Sequence, residues 1–356
     1  MDVETNNLKD QPVTPLVSVV IPCRDEAPWI DQCLESVLTS EYPRDRLEVI
    51  VADGMSQDGT REQVERHTAR DARVRMIDNP ARTTPQALNR ALAAARGDLI
   101  LRLDAHAAIA ADYIARAVQN LQSSGADCVG GVTRTVAVGS GVFAQPIRIG
   151  LSNLFGVGNA HFRIGSEKPL WVDTVFGACW RREVFERIGR FDEQLERSQD
   201  IEFSSRLRRA GGNILMSPEM KIDYYAQPTL RGFLRQNWSN GVWAILPFAH
   251  VSGIAVRWRH LTPLALVLGL TGSLIAAAWT GSGWLAWTVA GPYLAANFAA
   301  SAHTAWKERS VPLVFLMPLV FVGLHLSYGI GSLWGCVRLA RLIAKPKPGQ
   351  VPEAVR

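Results

Sequence analysis

The sequence predicts an α/β fold, a Rossmann-like and mostly parallel sheet with helices on both faces, followed by a C-terminal transmembrane helical segment. Three observations carry this. Short β-branched runs alternate with stretches of helical spacing as far as Gln122. An acid follows three of those runs. No Asp, Glu, Lys or Arg occurs from Thr262 to His303 or from Ser310 to Val337. A bilayer core of ~30 Å needs about 20 apolar residues of helix, so the first charge-free stretch holds two spans and the second holds one.

Leu16–Ile21 is a continuous apolar run, as a strand covered on both faces requires. Pro28 then stands where a helix begins, and Trp29, Ile30, Cys33, Leu34, Val37 and Leu38 recur at helical spacing. Leu47–Ala52 reads as the second strand, Thr60–Arg70 as a polar helix and Val74–Ile77 as a short third strand. Pro85 opens an Ala- and Leu-rich helix through Arg96, with Gly97 as its C′ residue. Asp98–Leu103 is the fourth strand, followed by helices near Ala110–Gln122, Arg181–Ile188 and Asp200–Ala210. Val242–Val256 is apolar but only fifteen residues long and broken by Pro247 and Gly253, which suits an interfacial helix better than a span. The expected organisation is a flexible N-terminus (1–15), a soluble domain (16–240), an interfacial segment (241–260), about three spans (261–337) and a basic tail (338–356).

The 356 residues are 47% apolar and 20% charged, which excludes a disordered or collagen-like chain. The net charge of +5 is mild and no basic stripe with interleaved aromatics is present, so nucleic acid is not an expected partner. Part of the excess lies in the tail, where Arg338, Arg341, Lys345, Lys347 and Arg356 face only Glu353. Three spans would carry this tail away from the catalytic side, against the positive-inside tendency, unless one segment is re-entrant. Cys23, Cys33, Cys128, Cys179 and Cys336 form no C-x-x-C pair, which fits reduced thiols in a cytosolic domain. The first apolar run is six residues long, a strand and not a signal peptide, so the front domain is expected on the cytoplasmic side.

Ligands of open α/β sheets lie outside the carboxyl ends of the strands. There the sequence has Pro22-Cys23-Arg24-Asp25-Glu26, then Asp53-Gly54 with Ser56-Gln57-Asp58-Gly59-Thr60, then Asp104-Ala105-His106. One acid after a strand is ordinarily a cap or turn residue. Three converging on one crevice beside an imidazole suit a divalent cation with a diphosphate, or the hydroxyls of a ribose.

These motifs, with Ala87-Leu88-Asn89-Arg90 before Gly97-Asp98, resemble the nucleotide-binding half of glycosyltransferase family 2. The similarity continues through Phe176–Glu183, Ile188–Glu193 and Gln199-Asp200-Ile201-Glu202, and it covers roughly residues 16–240. Val172-Asp173-Thr174, the Asp-Ala-His and the three-span tail look most like exopolysaccharide glucosyltransferases of the succinoglycan type. The resemblance implies a GT-A fold and an inverting transfer of a hexose, glucose first, from a UDP-sugar to a lipid-linked saccharide at the bacterial inner membrane. Asp53 would hold the uracil near Pro22, Arg24 and Glu26, and Asp104 would sit on the ribose and the metal side of the diphosphate. A divalent cation, Mn or Mg, would be held by Asp104 and His106, where the family pattern is Asp-x-Asp. Imidazole suits Mn better than Mg. Asp200 would be the catalytic base, with Gln199 in place of the usual Glu before it. Trp238, the remnant of a Gln-x-x-Arg-Trp motif, and Gln199 would meet the acceptor, and the broken motif argues for single-sugar transfer. Other exopolysaccharide-synthesis proteins are the expected partners.

Three rival readings stand beside this one. Gly139-Ser140-Gly141-Val142-Phe143-Ala144 matches a dinucleotide-binding G-x-G-x-x-A, but no acid follows about 20 residues on; the first is Glu167. The acceptor could be polyprenyl phosphate itself. A non-catalytic nucleotide-binding scaffold would explain Gln199 and His106 as decayed positions.

Overall fold

In a computed structural model, residues 14–227, 229–249 and 257–344 are described. The apolar run forms strand β1 (Val17–Cys23), buried at every position but Pro22. Helix α1 (Ile30–Leu38), strand β2 (Leu47–Asp53), α2 (Thr60–Arg70), β3 (Val74–Asp78), α3 (Thr84–Ala94) and β4 (Leu99–Arg102) follow in the expected alternation. Alternate β1 residues serve opposite cores. Val17, Val19 and Ile21 pack with Ile30, Leu34 and Ile114, whereas Val20 joins Ile50, Leu88 and Phe203. This two-sided burial is why the strand reads as an apolar run interrupted only by Ser18.

The chain continues through β5 (Ala107–Ile109), α4 (Tyr113–Ser124), β6 (Cys128–Val136), three short helices α5 (Ala144–Gly150), α6 (Leu154–Val157) and α7 (His161–Ile164), and β7 (Leu170–Trp171). Then come β8 (Phe176–Arg181), α8 (Arg182–Ile188), α9 (Gln199–Arg209) and β9 (Ile214–Tyr225). The sheet order is β3-β2-β1-β4-β8-β6-β9-β5, with β7 on β9. The first four strands are mutually parallel, and β6 and β9, parallel to each other, run the same way because β8 is antiparallel to both β4 and β6. The sheet is thus mostly parallel, as expected, and mixed through β8, β5 and β7, which run the other way.

Gly97 is not the C′ residue expected. Helix α3 ends at Ala94 and Ala95 is already extended, and Gly97 is not among the residues of positive φ. Glycine is required there by proximity, because a Cβ would stand 2.6 Å from the Ser18 backbone nitrogen. The same corner buries Glu48, 3% exposed. Its carboxylate accepts from Ser18 Oγ (2.6 Å), Arg96 N (2.6 Å), Arg96 Nε (3.0 Å) and Arg75 Nη2 (2.9 Å). Burial opposes its ionisation, but the hydrogen bonds from Ser18 and Arg96 outweigh that and hold its pKa below the ordinary 4.5. A depressed acid stabilises the fold above its unfolded pKa and loses that contribution as pH falls through the folded value. Glu48→Gln is expected to lower the melting temperature at pH 7 by about 5 °C, roughly 2 kcal/mol. The gap should close as the pH falls below 4.5, in melts of the detergent-solubilised protein.

Four long helices complete the molecule: α10 (Leu230–Ile245), α11 (Trp258–Thr280), α12 (Trp284–Lys307) and α13 (Leu313–Ala344). Val242 to Ile245 of the expected interfacial segment is the last turn of α10, and Leu246–Ala249 is a 3₁₀ turn. The rest of that segment, the first thirteen residues and the tail beyond Ala344 lie outside the described residues.

Two helices, α11 and α13, are long and apolar enough to cross a membrane, with mean hydropathies of 1.9 and 2.0. Helix α12, the remaining span expected, is not one of these two. That helix buries Asn297, Ser301 and Thr304; Asn297 Nδ2 donates to Pro318 O (3.2 Å) and Asn153 Nδ2 to Thr304 Oγ1 (3.1 Å). Its polar face is thus spent on α13 and on the α/β domain. Exposed tryptophans mark both ends of the α11–α12 hairpin, Trp258 and Trp306 at one and Trp279, Trp284 and Trp287 at the other, the placement of membrane-interface aromatics. His325 on α13 is satisfied: Nε2 donates to Phe155 O (2.9 Å) and Nδ1 accepts from the Tyr293 hydroxyl (3.0 Å).

Candidate active site

The carboxyl ends of β1 and β4, the first turn of α9 and one face of α10 open on a single cavity of about 1580 Å³, which continues to Tyr293 and Leu324 among the long helices. Pro22, Arg24 and Glu26 line it from the loop after β1, and Asp104 and His106 from the loop after β4. Gln199 and Asp200 enter from α9.

Asp104 Oδ1 accepts from Arg102 Nε (3.1 Å) and Nη2 (3.0 Å). Burial opposes its charge, yet Arg102 and His106 keep its pKa below the usual carboxylate range. His106 Nδ1 donates to Glu26 Oε1 at 2.9 Å. Burial disfavours the imidazolium, but the Glu26 hydrogen bond, with the charges around it, raises the pKa to about 9. Arg102 feels the charges of both Asp104 and Asp200, so one buried guanidinium couples the two acids. A charge at the end of the apolar run Leu99-Ile100-Leu101 was the signal in the sequence.

Ser198, just before α9, adopts φ +61°, a strained value for a residue with a side chain. Its Oγ donates to Trp243 O at 2.9 Å, tying α9 to α10. The turn that follows carries two acids with different duties. Glu202 is buried and clamped by Arg206 Nε (2.9 Å) and Nη2 (2.8 Å). Asp200 makes no hydrogen bond or ion pair among the described residues and faces the cavity. Gln199 is 5% exposed, and its Oε1 is buried without a partner.

Two expected site residues lie elsewhere. Asp53 is fully buried behind the cavity wall; it accepts from Ser56 Oγ (2.5 Å), Ser56 N (3.1 Å) and Arg61 Nη1 (2.6 Å), and its neighbour Gly54 does the lining. Asp53 thus holds the turn that follows β2. Trp238 is not a lining residue, whereas Gln236, Asn240 and Trp243 are. At about 100° per residue, position 238 stands about 200° round the helix from both 236 and 240. Trp243 was legible only once the register of α10 was known. Trp29 and Tyr225, stacked with centroids 5.0 Å apart, were also missed and border the same cavity. Residues 139–144 lead into α5 and do not line it, so the G-x-G-x-x-A has no ligand role there.

Asp104 and His106 fit a divalent cation by the chemistry of the donor set. Glu26 accepts from His106 Nδ1 and so turns Nε2 outward, the arrangement that orients metal-ligating histidines; a cation there would displace the Nε2 proton that the raised pKa otherwise keeps. Both Arg102 hydrogen bonds fall on Asp104 Oδ1, which leaves Oδ2. Among the described residues no three His, Cys, Asp or Glu side chains gather closely enough to hold an ion. A cation here therefore needs further oxygens, such as those of a diphosphate.

A mostly parallel, mixed sheet with acids at its strand ends and a helical appendage is the architecture of a nucleotide-sugar glycosyltransferase. The pattern of Glycosyl transferase family 2 matches residues 18–189. The chain is 32% identical over 316 residues to the succinoglycan biosynthesis protein ExoA of Rhizobium meliloti, covering 81% of this chain and 92% of that one. It therefore belongs to glycosyl transferase family 2 and is a glycosyltransferase. It is also 24% identical over 332 residues to the dolichyl N-acetyl-alpha-D-glucosaminyl phosphate 3-beta-D-2,3-diacetamido-2,3-dideoxy-beta-D-glucuronosyltransferase of Methanococcus voltae, covering 90% and 97% of the two chains. Among solved structures, the mannosyltransferase PcManGT of Pyrobaculum calidifontis, in complex with GDP-Man and Mn2+, superposes with a TM-score of 0.56 at 22% identity, covering 90% of this chain and 87% of that one. This likeness establishes the GT-A fold.

Proposed function

We propose that the protein is an inverting hexosyltransferase. It moves a sugar, glucose first, from a UDP-sugar to a lipid-linked saccharide in exopolysaccharide synthesis, at the cytoplasmic face of a bacterial inner membrane. The observation that supports this best is the continuity of one cavity from the strand-end acids to the long apolar helices. It gives a polar donor and an apolar-tailed acceptor access to the same carboxylate.

Pro22, Arg24, Glu26 and Gly54 border the end of the crevice assigned to the base and ribose, and Asp53 acts from behind by fixing the turn with Ser56 and Arg61. Asp104 and His106 would hold the divalent cation, which when bound offsets the charge of the departing diphosphate. Asp200 takes the proton from the acceptor hydroxyl as that oxygen attacks the anomeric carbon from the face opposite the leaving group. Arg102 holds Asp104 in place and keeps a positive charge near Asp200. Trp243, Gln236 and Asn240 form the wall on which the acceptor sugar rests, with Gln199 beside them.

The apolar reach of the cavity favours a second reading, transfer to polyprenyl phosphate itself. The decisive test incubates the purified protein with a panel of labelled UDP-sugars and membrane lipids. Mild acid cleaves the glycosyl phosphate bond to the lipid in either case, so the size of the released label decides. Label released as part of an oligosaccharide supports transfer to a saccharide, and label released as the free monosaccharide supports the second reading. No lipid-extractable product from any donor sinks both.

A further inference from the structure

Arg163, on α7, is a cation of this cavity that the scheme above leaves unused. Its guanidinium carbon lies 5.5 Å from the Phe162 ring centroid and 5.1 Å from that of Tyr224. Thr133 Oγ1 donates to Phe162 O at 2.9 Å and pins α7 on β6. Arg163 Nη1 is buried and has no acceptor. Other arginines also bury an unpartnered nitrogen, but Arg73 spends its others on Asp71, Arg75 on Glu48 and Arg182 on Gly97 O. The Arg163 side chain makes no hydrogen bond or ion pair among the described residues. A guanidinium stays charged at any working pH, and here it lines the cavity with one buried nitrogen to which the described residues supply no acceptor. The charge has a use if an anion completes it.

The surroundings identify the anion. Arg163 lines the same cavity as Asp104, His106 and Asp200. The Tyr224 ring that it covers also meets His106 edge-on, with centroids 5.5 Å apart, and its hydroxyl accepts from Gln236 Nε2 at 2.9 Å. The guanidinium is therefore one ring away from the position assigned to the diphosphate, in a cavity that goes on to Leu324 and Tyr293. We propose that Arg163, clamped by Phe162 and Tyr224, is a ligand for phosphate oxygens of a substrate diphosphate. The proposal rests on the glycosyltransferase reading of this cavity. Two sources share that chemistry, the leaving UDP of the donor and the diphosphate of a lipid-linked acceptor. The planar fork of arginine matches phosphate oxygens in either.

The test uses the full chain in detergent and calorimetric titration with three probes: UDP, farnesyl diphosphate as a lipid diphosphate, and farnesol as its uncharged counterpart. Arg163→Gln is expected to weaken one of the two diphosphates by about tenfold or more and to leave farnesol unchanged. Arg163→Met, which keeps the apolar stem against both rings, should behave alike, and Arg163→Lys should recover part of the loss. Weakening confined to UDP assigns the residue to the donor, and weakening confined to farnesyl diphosphate assigns it to the acceptor. Unchanged affinity for both, or an equal loss for farnesol, overturns the proposal while wild-type UDP binding keeps the functional reading intact. A wild-type protein that binds neither diphosphate overturns both. Arg163→Lys and Arg163→Met keep the answer readable if Arg163→Gln fails to fold.

Discussion

Asp200→Asn is expected to lower kcat by about 10³-fold while the dissociation constant for UDP stays within about twofold of wild type. The expectation follows from how differently the two acids in the first turn of α9 are placed. Glu202 is locked by two hydrogen bonds from Arg206, and removing its charge should lower the melting temperature. Asp200 accepts nothing among the described residues, and its charge reaches only as far as Arg102. An acid near a helix N-terminus also interacts with the helix dipole, but that is worth about 0.3–1 kcal/mol at an exposed end. Asparagine has the same size, so folding should survive the change, whereas the acceptor hydroxyl loses the group that takes its proton. Glu202→Gln supplies the contrast: a lower melting temperature and a much smaller change in kcat. Near-normal turnover by Asp200→Asn would remove it as the base, and a tenfold loss of UDP affinity would recast it as a donor ligand.

The part of this site that could be read in the sequence is the part built from local signals. Mainly apolar runs that lead into Asp53 or Asp104, broken only by Glu48 and Arg102, marked the strands and their carboxyl ends together, because a strand buried on both faces is apolar on both. The later half of the sheet had no such pattern, and its longest strand pairs parallel with β6 across an irregularity. β9 contains Ser217-Pro218-Glu219, which reads as a break. It stays one strand because its pairing with β6 slips between Gly130 and Val132, and a bulge tolerates a proline. Gly131 permits the slip, since a Cβ there would stand 2.1 Å from Met220 O. None of that is local in sequence.

The same limit explains the errors at the site. Asp53 follows its strand as a ligand should, yet Ser56 and Arg61 consume its carboxylate, and a turn that folds back on its own acid looks the same in sequence as one that offers it. Trp238 and Trp243 are both aromatic residues of one helix. Which of them meets the cavity depends on which side of α10 packs against α13, and glycines more than seventy residues away decide that.

Those glycines carry the second large effect. α10 and α13 touch backbone to backbone: a Cβ on Gly241 would lie 2.0 Å from Tyr328 O, one on Gly331 would lie 2.2 Å from Trp238 O, and one on Gly335 would lie 2.8 Å from Val242 O. Helices in apolar surroundings gain little from expelling water, and close approach of small residues is what holds them. Ser332 Oγ adds a hydrogen bond to Gly241 O at 3.2 Å in the same seam. The face of α10 turned away from this contact carries Gln236, Asn240 and Trp243 into the cavity, so separating the helices moves the acceptor wall. Gly331→Leu is expected to cost about 3 kcal/mol by overpacking, seen as a melting temperature lower by roughly 5–10 °C, and to abolish transfer. Gly331→Ala should show the same defects more mildly. Gly272→Ala on α11 is the matched control, because a Cβ there meets nothing within 4 Å; it should be neutral or stabilising by about 0.5–1 kcal/mol. UDP binding in Gly331→Leu reports whether the sheet half survives without its helical wall. If Gly331→Leu melts and turns over like wild type, the two helices do not meet as described, and the assignment of Trp243 to the acceptor falls with them.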